Sequence, residues 1–199
     1  MVIIGITGQS GVGKGFLSAE LEKLGYFHAD ADEIYHRLLE TNEDLKNELI
    51  RTFGEKITAN GKIDRKALGT CVFGAKNRRK LLKLNKIAHK YVCREYVKLI
   101  ISLKKENAKG LIIDAPLLIE ARLNKLCDIN IFVTCNRETQ IERILKRDGI
   151  SQEAALLRIN SQKSYSFYRS QCDLCFESDG EISAADFAKQ INFYGENKN

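Results

Sequence analysis

The 199-residue chain holds a single proline, Pro116, and no proline-rich linker, internal repeat or low-complexity tract, so nothing in it marks a hinge between independent domains. No apolar run approaches the roughly 18 residues of a membrane span, and the start, MVIIGITG, lacks the basic and long apolar regions of a secretory signal. A cytoplasmic protein with no membrane association is therefore expected. Of the six cysteines only Cys172 and Cys175 form a C-x-x-C, and no second pair matches it. A zinc framework of paired cysteines is excluded, and free thiols are expected in place of disulfides. The net charge of +6 suits an anionic partner, but the basic residues gather neither in an arm nor in an aromatic-rich strand pattern. That argues against a dedicated nucleic-acid binder.

What the chain does contain is an alternation of short apolar runs with longer helical patterns. The runs are VIIGIT at 2–7, YFHA at 26–29, LIIDA at 111–115, INIFVT at 129–134 and the weaker LCFE at 174–177. Continuous apolar runs belong to parallel strands covered on both faces, so an α/β fold with a five-stranded parallel sheet is expected. About eighty residues with helical periodicity separate the second run from the third, too many for one crossover helix. Within them DEIYHRLLE, NEDLKNELIRTFG, DRKALGTCVF and the long stretch from RRKLLK to LKKE read as helices, interrupted at Gly54, NGK at 60–62 and Gly74. A second helical block, RETQIERILKRDG followed by SQEAALLRINSQKSYSFYRS, is rich in arginine and lysine, and the final GENKN reads as a tail.

The segment GITGQSGVGKGF, Gly5 to Phe16, nearly spells the phosphate-binding loop G-x-x-x-x-G-K-[ST]. It follows an apolar strand and opens a helical pattern, FLSAELEKLG, which is the context that the motif requires. Glycines 8, 11 and 13 allow backbone N–H groups to turn inward on a phosphate, and the following helix adds the positive end of its dipole. Lys14 would lie against the β- and γ-phosphates as a point charge. Gly8, Gly11, Val12, Gly13, Lys14, Gly15 and Phe16 are thus the candidate nucleotide-binding residues. The spelling breaks at Gly15-Phe16, where a hydroxyl would ordinarily touch Mg²⁺. Ser10 and Ser18 are the nearby hydroxyls, one in the loop's variable middle and the other a turn deeper in the helix. Because Mg²⁺ keeps several waters and holds on through phosphates and one or two carboxylates, a water is expected at Gly15, with Asp32 or Asp114 as the acidic anchor.

Asp30 and Asp32 follow the second run, at the carboxyl end of a strand, where open α/β sheets place their ligands. Either can cap the helix that follows, and Asp32 is the candidate for orienting an attacking hydroxyl. Asp114 ends the third run and reads either as a metal-sensing acid or as a local partner for the turn at Pro116. Arg143 and Arg147 are four apart and share a helix face just after the fourth run. They form either a solvated stripe or a pair converging on a polyphosphate. His36 and His89 lie in the insertion, where a lone helical histidine either binds substrate or simply packs.

Taken in order, GITGQSGVGKG, YFHADADEIYHRLLE, IDRKALGTCVF, LNKIAH, IIDAPLLIE, CDINIFVTCNRETQIERILKRDGIS and RINSQ resemble the dephospho-coenzyme A kinase family over nearly the whole chain. The resemblance implies a P-loop NTPase-type α/β/α core made of 1–32, 111–146 and 171–199, a helical acceptor-binding insertion at 33–110 and a small helical lid at 147–170. It implies transfer of the γ-phosphate of ATP, with Mg²⁺, to the ribose 3′-hydroxyl of dephospho-CoA. Carried over by position, Asp32 matches the aspartate that takes the hydroxyl proton, Lys14 the loop lysine and Arg143 the arginine at the transferring phosphoryl group. Arg147 falls near the nucleotide, and Arg65, His89, Leu117, Leu118 and Glu120 fall where the acceptor is expected. Three positions depart from the pattern: Gly15-Phe16 in place of the Ser/Thr pair, His36 where arginine is common, and Lys90 where proline is common. Two other readings stay open at this point, a kinase for another small acceptor such as a nucleotide and a nucleotide-binding regulatory protein without turnover.

Overall fold

The computed structural model describes residues 1–196, without the side chains of 75 and 194–196. It divides into two compact units, one made of Met1–Asp30 with the chain from Leu103 onward, the other of Ala31–Ser102.

The first unit is built on five parallel strands, β1 (Val2–Thr7), β2 (Phe27–Asp30), β5 (Gly110–Asp114), β6 (Ile129–Thr134) and β7 (Leu174–Glu177), in the order β2-β5-β1-β6-β7. β1 and β5 are buried at every residue, as befits strands between two layers of helices. Ile4, Ile6, Ile112, Ile131 and Val133 line one face and pack on Leu17 and Leu21 of α1 (Lys14–Lys23) and on Phe187 and Ile191 of α9 (Ala184–Glu196). Because strand side chains alternate, Phe132 points to the opposite face, where it stacks on Tyr168 of α8 (Tyr165–Arg169). Each of the five apolar runs is a strand, and α6 (Arg137–Asp148) follows β6 as expected.

Two details of the first unit differ from the reading of the sequence. The stretch 151–170 is two helices, α7 (Gln152–Ser161) and α8, because the Ser164 hydroxyl accepts the backbone N–H of Phe167 and starts a new helix. α9, whose Phe187 packs on Phe176 of β7, was not anticipated; it takes in residues 195 and 196 of GENKN, while 197–199 lie outside the described residues.

The second unit contains α2 (Ala31–Thr41), α3 (Glu43–Phe53), α4 (Arg65–Val72) and most of α5 (Arg78–Lys105). It also holds a hairpin, β3 (Thr58–Ala59) with β4 (Lys62–Ile63), turning at Asn60 and Gly61 with φ of 51° and 74°. Two consecutive positive φ values give the turn that matches strand twist, so the predicted break is a two-residue hairpin. α3 is capped by Asn42 and α4 by Asp64, each side chain accepting backbone N–H groups of the first turn.

Candidate active site

The loop between β1 and α1 is held from below by α6. Gln140 Nε2 donates to the carbonyl of Ser10 at 2.8 Å and to Gln9 Oε1 at 3.2 Å. Arg143 Nη1 donates to the carbonyl of Val12 at 3.2 Å and to Ser178 Oγ at 2.6 Å, while Ser178 Oγ donates to the same carbonyl. These bonds occupy the carbonyl oxygens of Ser10 and Val12 on the α6 side of the loop, an arrangement that suits inward-turned N–H groups on an anion. Gly11 and Gly13 have φ of 82° and 87°, and a Cβ at Gly11 would come within 2.7 Å of the Gln140 carbonyl oxygen. Close approach of α6 and left-handed backbone together require glycine there. Val12 is buried, so its side chain anchors the loop in the core.

The 147–170 stretch also reaches this loop. Arg147 Nη2 donates to Ser10 Oγ at 3.0 Å, and its guanidinium pairs with Asp148, which Arg158 also engages. Hydrogen bonds from Arg147 and then Arg158 hold the Asp148 carboxyl down to about 2. The backbone N–H of Ser10 donates to Gln162 Oε1 at 2.9 Å, and Gln9 Nε2 to the carbonyl of Lys163 at 2.8 Å. Gln140, Gln162, Arg158 and Ser178 were not among the expected site residues. Ser178 follows the carboxyl end of β7, where ligand sites of parallel sheets gather, and Arg158 and Gln162 lie in the RINSQ segment that carried the resemblance.

Lys14 is the first residue of α1, and Gly15 the second. A Cβ at Gly15 would have nothing within 4 Å. Phe16 is exposed, with the Arg143 guanidinium 5.3 Å from its ring centroid, a cation–π contact. Ser18, buried on the same helix face as Gly15, donates to Asp114 Oδ2 at 3.3 Å. Asp114 therefore looks to α1 for its partner and not to the turn at Pro116. His28 Nε2 lies 3.7 Å from the same oxygen, and the carboxylate raises the His28 pKa above its ordinary 6.5 against the opposing effect of burial. Asp114 Oδ1 is buried without a hydrogen-bond partner among the described residues. An orphaned carboxylate oxygen beside the start of the loop helix fits a hydrated divalent cation. Among the described residues no three His, Cys, Asp or Glu side chains cluster as a metal cage, so such an ion would depend on phosphates and water for its other ligands.

Asp30 pairs in register with Asp114 at the ends of β2 and β5, and Asp32 stands two residues further on, exposed in the first turn of α2. After β5, Leu117 is exposed whereas Leu118 is wholly buried, and Glu120 Oε2 is buried without a hydrogen-bond partner among the described residues. In the second unit Arg65 Nη2 lies 2.9 Å from His36 Nε2. His89 is half-buried in α5, and burial lowers its pKa. Lys90 lies in the interior of α5 and bonds Glu48 of α3 at 2.6 Å, with Tyr91 donating to the same oxygen at 2.8 Å. The two donors pull the Glu48 pKa down.

The pattern of the family described as dephospho-CoA kinase matches residues 2–184 of this chain. The chain belongs to the dephospho-CoA kinase family. It is 37% identical over 183 residues to a dephospho-CoA kinase of Carboxydothermus hydrogenoformans, spanning 92% of this chain and 88% of that one. A solved dephospho-CoA kinase from Campylobacter jejuni overlays it with a TM-score of 0.67 at 25% identity, covering 99% of this chain and 98% of the other. A crystal structure of a Thermus thermophilus protein overlays with a TM-score of 0.76 at 29% identity, covering 97% and 96%. Membership in a kinase family implies use of ATP. Lys90 keeps a backbone N–H inside α5 that a proline would remove, and it pairs with Glu48 of α3.

Proposed function

We propose that the protein transfers the γ-phosphate of ATP to the ribose 3′-hydroxyl of dephospho-CoA, giving coenzyme A and ADP, the last step of coenzyme A synthesis, in the cytoplasm. The observation that carries this reading is the glycine-rich loop of residues 8–16, whose Ser10 and Val12 carbonyls are tied to α6 and Ser178 and so turned away from the face that a polyphosphate would occupy, in a chain of this family. Loop amides and Lys14 bind the β- and γ-phosphates, Arg147 adds charge on the nucleotide side and Arg143 at the transferring group. Asp32 accepts the hydroxyl proton and orients the hydroxyl for in-line attack. Its exposure in the first turn of α2 suits that task, since an exposed carboxylate can be reached by the acceptor hydroxyl and acts by position.

The acceptor is bound along the insertion 33–110 by Arg65 and His89 and along the turn of Leu117, Leu118 and Glu120, with Leu118 acting through its backbone because its side chain is in the core. The stretch 147–170 serves as a lid. Mg²⁺ would supply neutralisation of phosphate charge, and Asp114, whose Oδ1 is buried without a hydrogen-bond partner among the described residues, would help to hold it.

Incubation with ATP, Mg²⁺ and a panel of acceptors tests the reading. Product from dephospho-CoA alone supports it; product from a nucleotide favours a different kinase, and ATP binding without any product favours a regulatory role. For the mechanism, Asp32→Asn should abolish turnover while ATP binding survives, and retained turnover would remove Asp32 from its role.

A further inference from the structure

Arg65 begins α4, exposed, directly after the Asp64 cap whose carboxylate is already engaged by the N–H groups of Lys66 and Ala67. Its one hydrogen-bonding neighbour among the described residues is His36 Nε2, at 2.9 Å, and no described carboxylate lies within ion-pair distance of it. A guanidinium has only donors, so the imidazole nitrogen that it touches must be the acceptor. His36 Nε2 is therefore the atom that receives the guanidinium in this contact. Tyr35 also lies here, its hydroxyl buried without a hydrogen-bond partner among the described residues. Burial pushes its pKa up to about 12 against the opposing charge of Arg65, so it stays an uncharged phenol. Arg65 is thus held in place by an imidazole nitrogen and not by a carboxylate. A carboxylate in the place of His36 would hold the guanidinium more tightly but cancel that charge.

We propose that His36 is a positioning residue that presents an uncompensated Arg65 guanidinium to an anionic, phosphate-bearing part of the acceptor, and so helps to set acceptor affinity. This rests on the phosphotransfer reading above. Anchoring by an imidazole nitrogen explains how a histidine serves where arginine is common: as an acceptor it fixes one cation without adding a second that would repel it.

Four variants separate position from charge: His36→Gln, which supplies a neutral acceptor; His36→Phe, which removes it; His36→Glu, which anchors but neutralises; and Arg65→Gln, which removes the charge. Binding of dephospho-CoA and of ATP is measured separately by calorimetry, with KM, kcat and melting temperature for each. His36→Gln should bind dephospho-CoA within about threefold of wild type, and His36→Glu and Arg65→Gln should each lose about tenfold or more, the scale of one charge-assisted hydrogen bond. His36→Phe should fall between. The loss should appear in the KM for dephospho-CoA, with kcat, ATP binding and the melting temperature of His36→Glu kept. Wild-type affinity for dephospho-CoA in His36→Glu overturns the proposal, and so does an equal loss in His36→Gln and His36→Glu. A wild-type protein that phosphorylates another acceptor but neither binds nor phosphorylates dephospho-CoA overturns the functional reading as well, which marks that failure apart from the first two.

Discussion

Replacing Gly15 by serine restores the hydroxyl that the loop motif lacks, at a place where the structure makes room for it. Gly15 is the second residue of α1, no positive φ is required there, and a Cβ meets nothing within 4 Å. Serine is roughly 0.5 kcal/mol better than glycine in a helix, so the variant should be as stable as wild type or up to about 0.5 kcal/mol more so. For a chain of this size that is a rise of about 1–2 °C in melting temperature. The hydroxyl would replace a water on the ion, a change of order 1 kcal/mol, or about fivefold in the Mg²⁺ concentration that half-saturates binding of a fluorescent ATP analogue. Differential scanning fluorimetry and an Mg²⁺ titration of analogue binding supply both numbers without relying on turnover. Unchanged Mg²⁺ half-saturation would show that the missing hydroxyl was never limiting. A fall of several degrees would refute the reasoning from open space at Gly15.

Gly11→Ala should be severe where Gly15→Ser is mild: left-handed backbone costs about 1–2 kcal/mol for alanine, and the clash with the Gln140 carbonyl adds to it, so both melting temperature and ATP affinity should drop. The His28 pKa is raised when folded, so its contact with Asp114 contributes fully below about pH 6.5 and is lost as pH rises through the raised value. Urea melts should therefore show His28→Gln losing more stability at pH 6 than at pH 9, and an equal loss at both would refute the pairing. Burial pushes the Cys127 and Cys172 thiols up to about 12, so a thiol reagent at pH 8 should spare both until denaturant is added. Rapid labelling of Cys172 in the native protein would reopen the question of chemistry at the C-x-x-C.

The buried strands were legible because their apolar runs are continuous, and the loop because its glycines sit between the first strand and a helix. Asp64 and Asn42 are local caps that act within three residues, so the helices they start were legible as well. The hairpin at 58–63 was hidden since its strands are two residues each, too short to show a period of two. α9 went unread although Phe187 and Ile191 recur at helical spacing. What gives them a purpose is the sheet face of Ile131 and Val133, more than fifty residues earlier in the chain.

Residue type and order alone determined the α/β class, the phosphate loop and the family, because those depend on patterns within a dozen residues and on their succession. Which groups hold the loop was decided only in three dimensions. Gln162 meets Ser10, Ser178 meets Val12, and Ser18 meets Asp114 across 152, 166 and 96 positions of sequence. Such polar contacts carry no periodicity, and their partners are chosen by the packing of α6 and the sheet that brings them within hydrogen-bond reach.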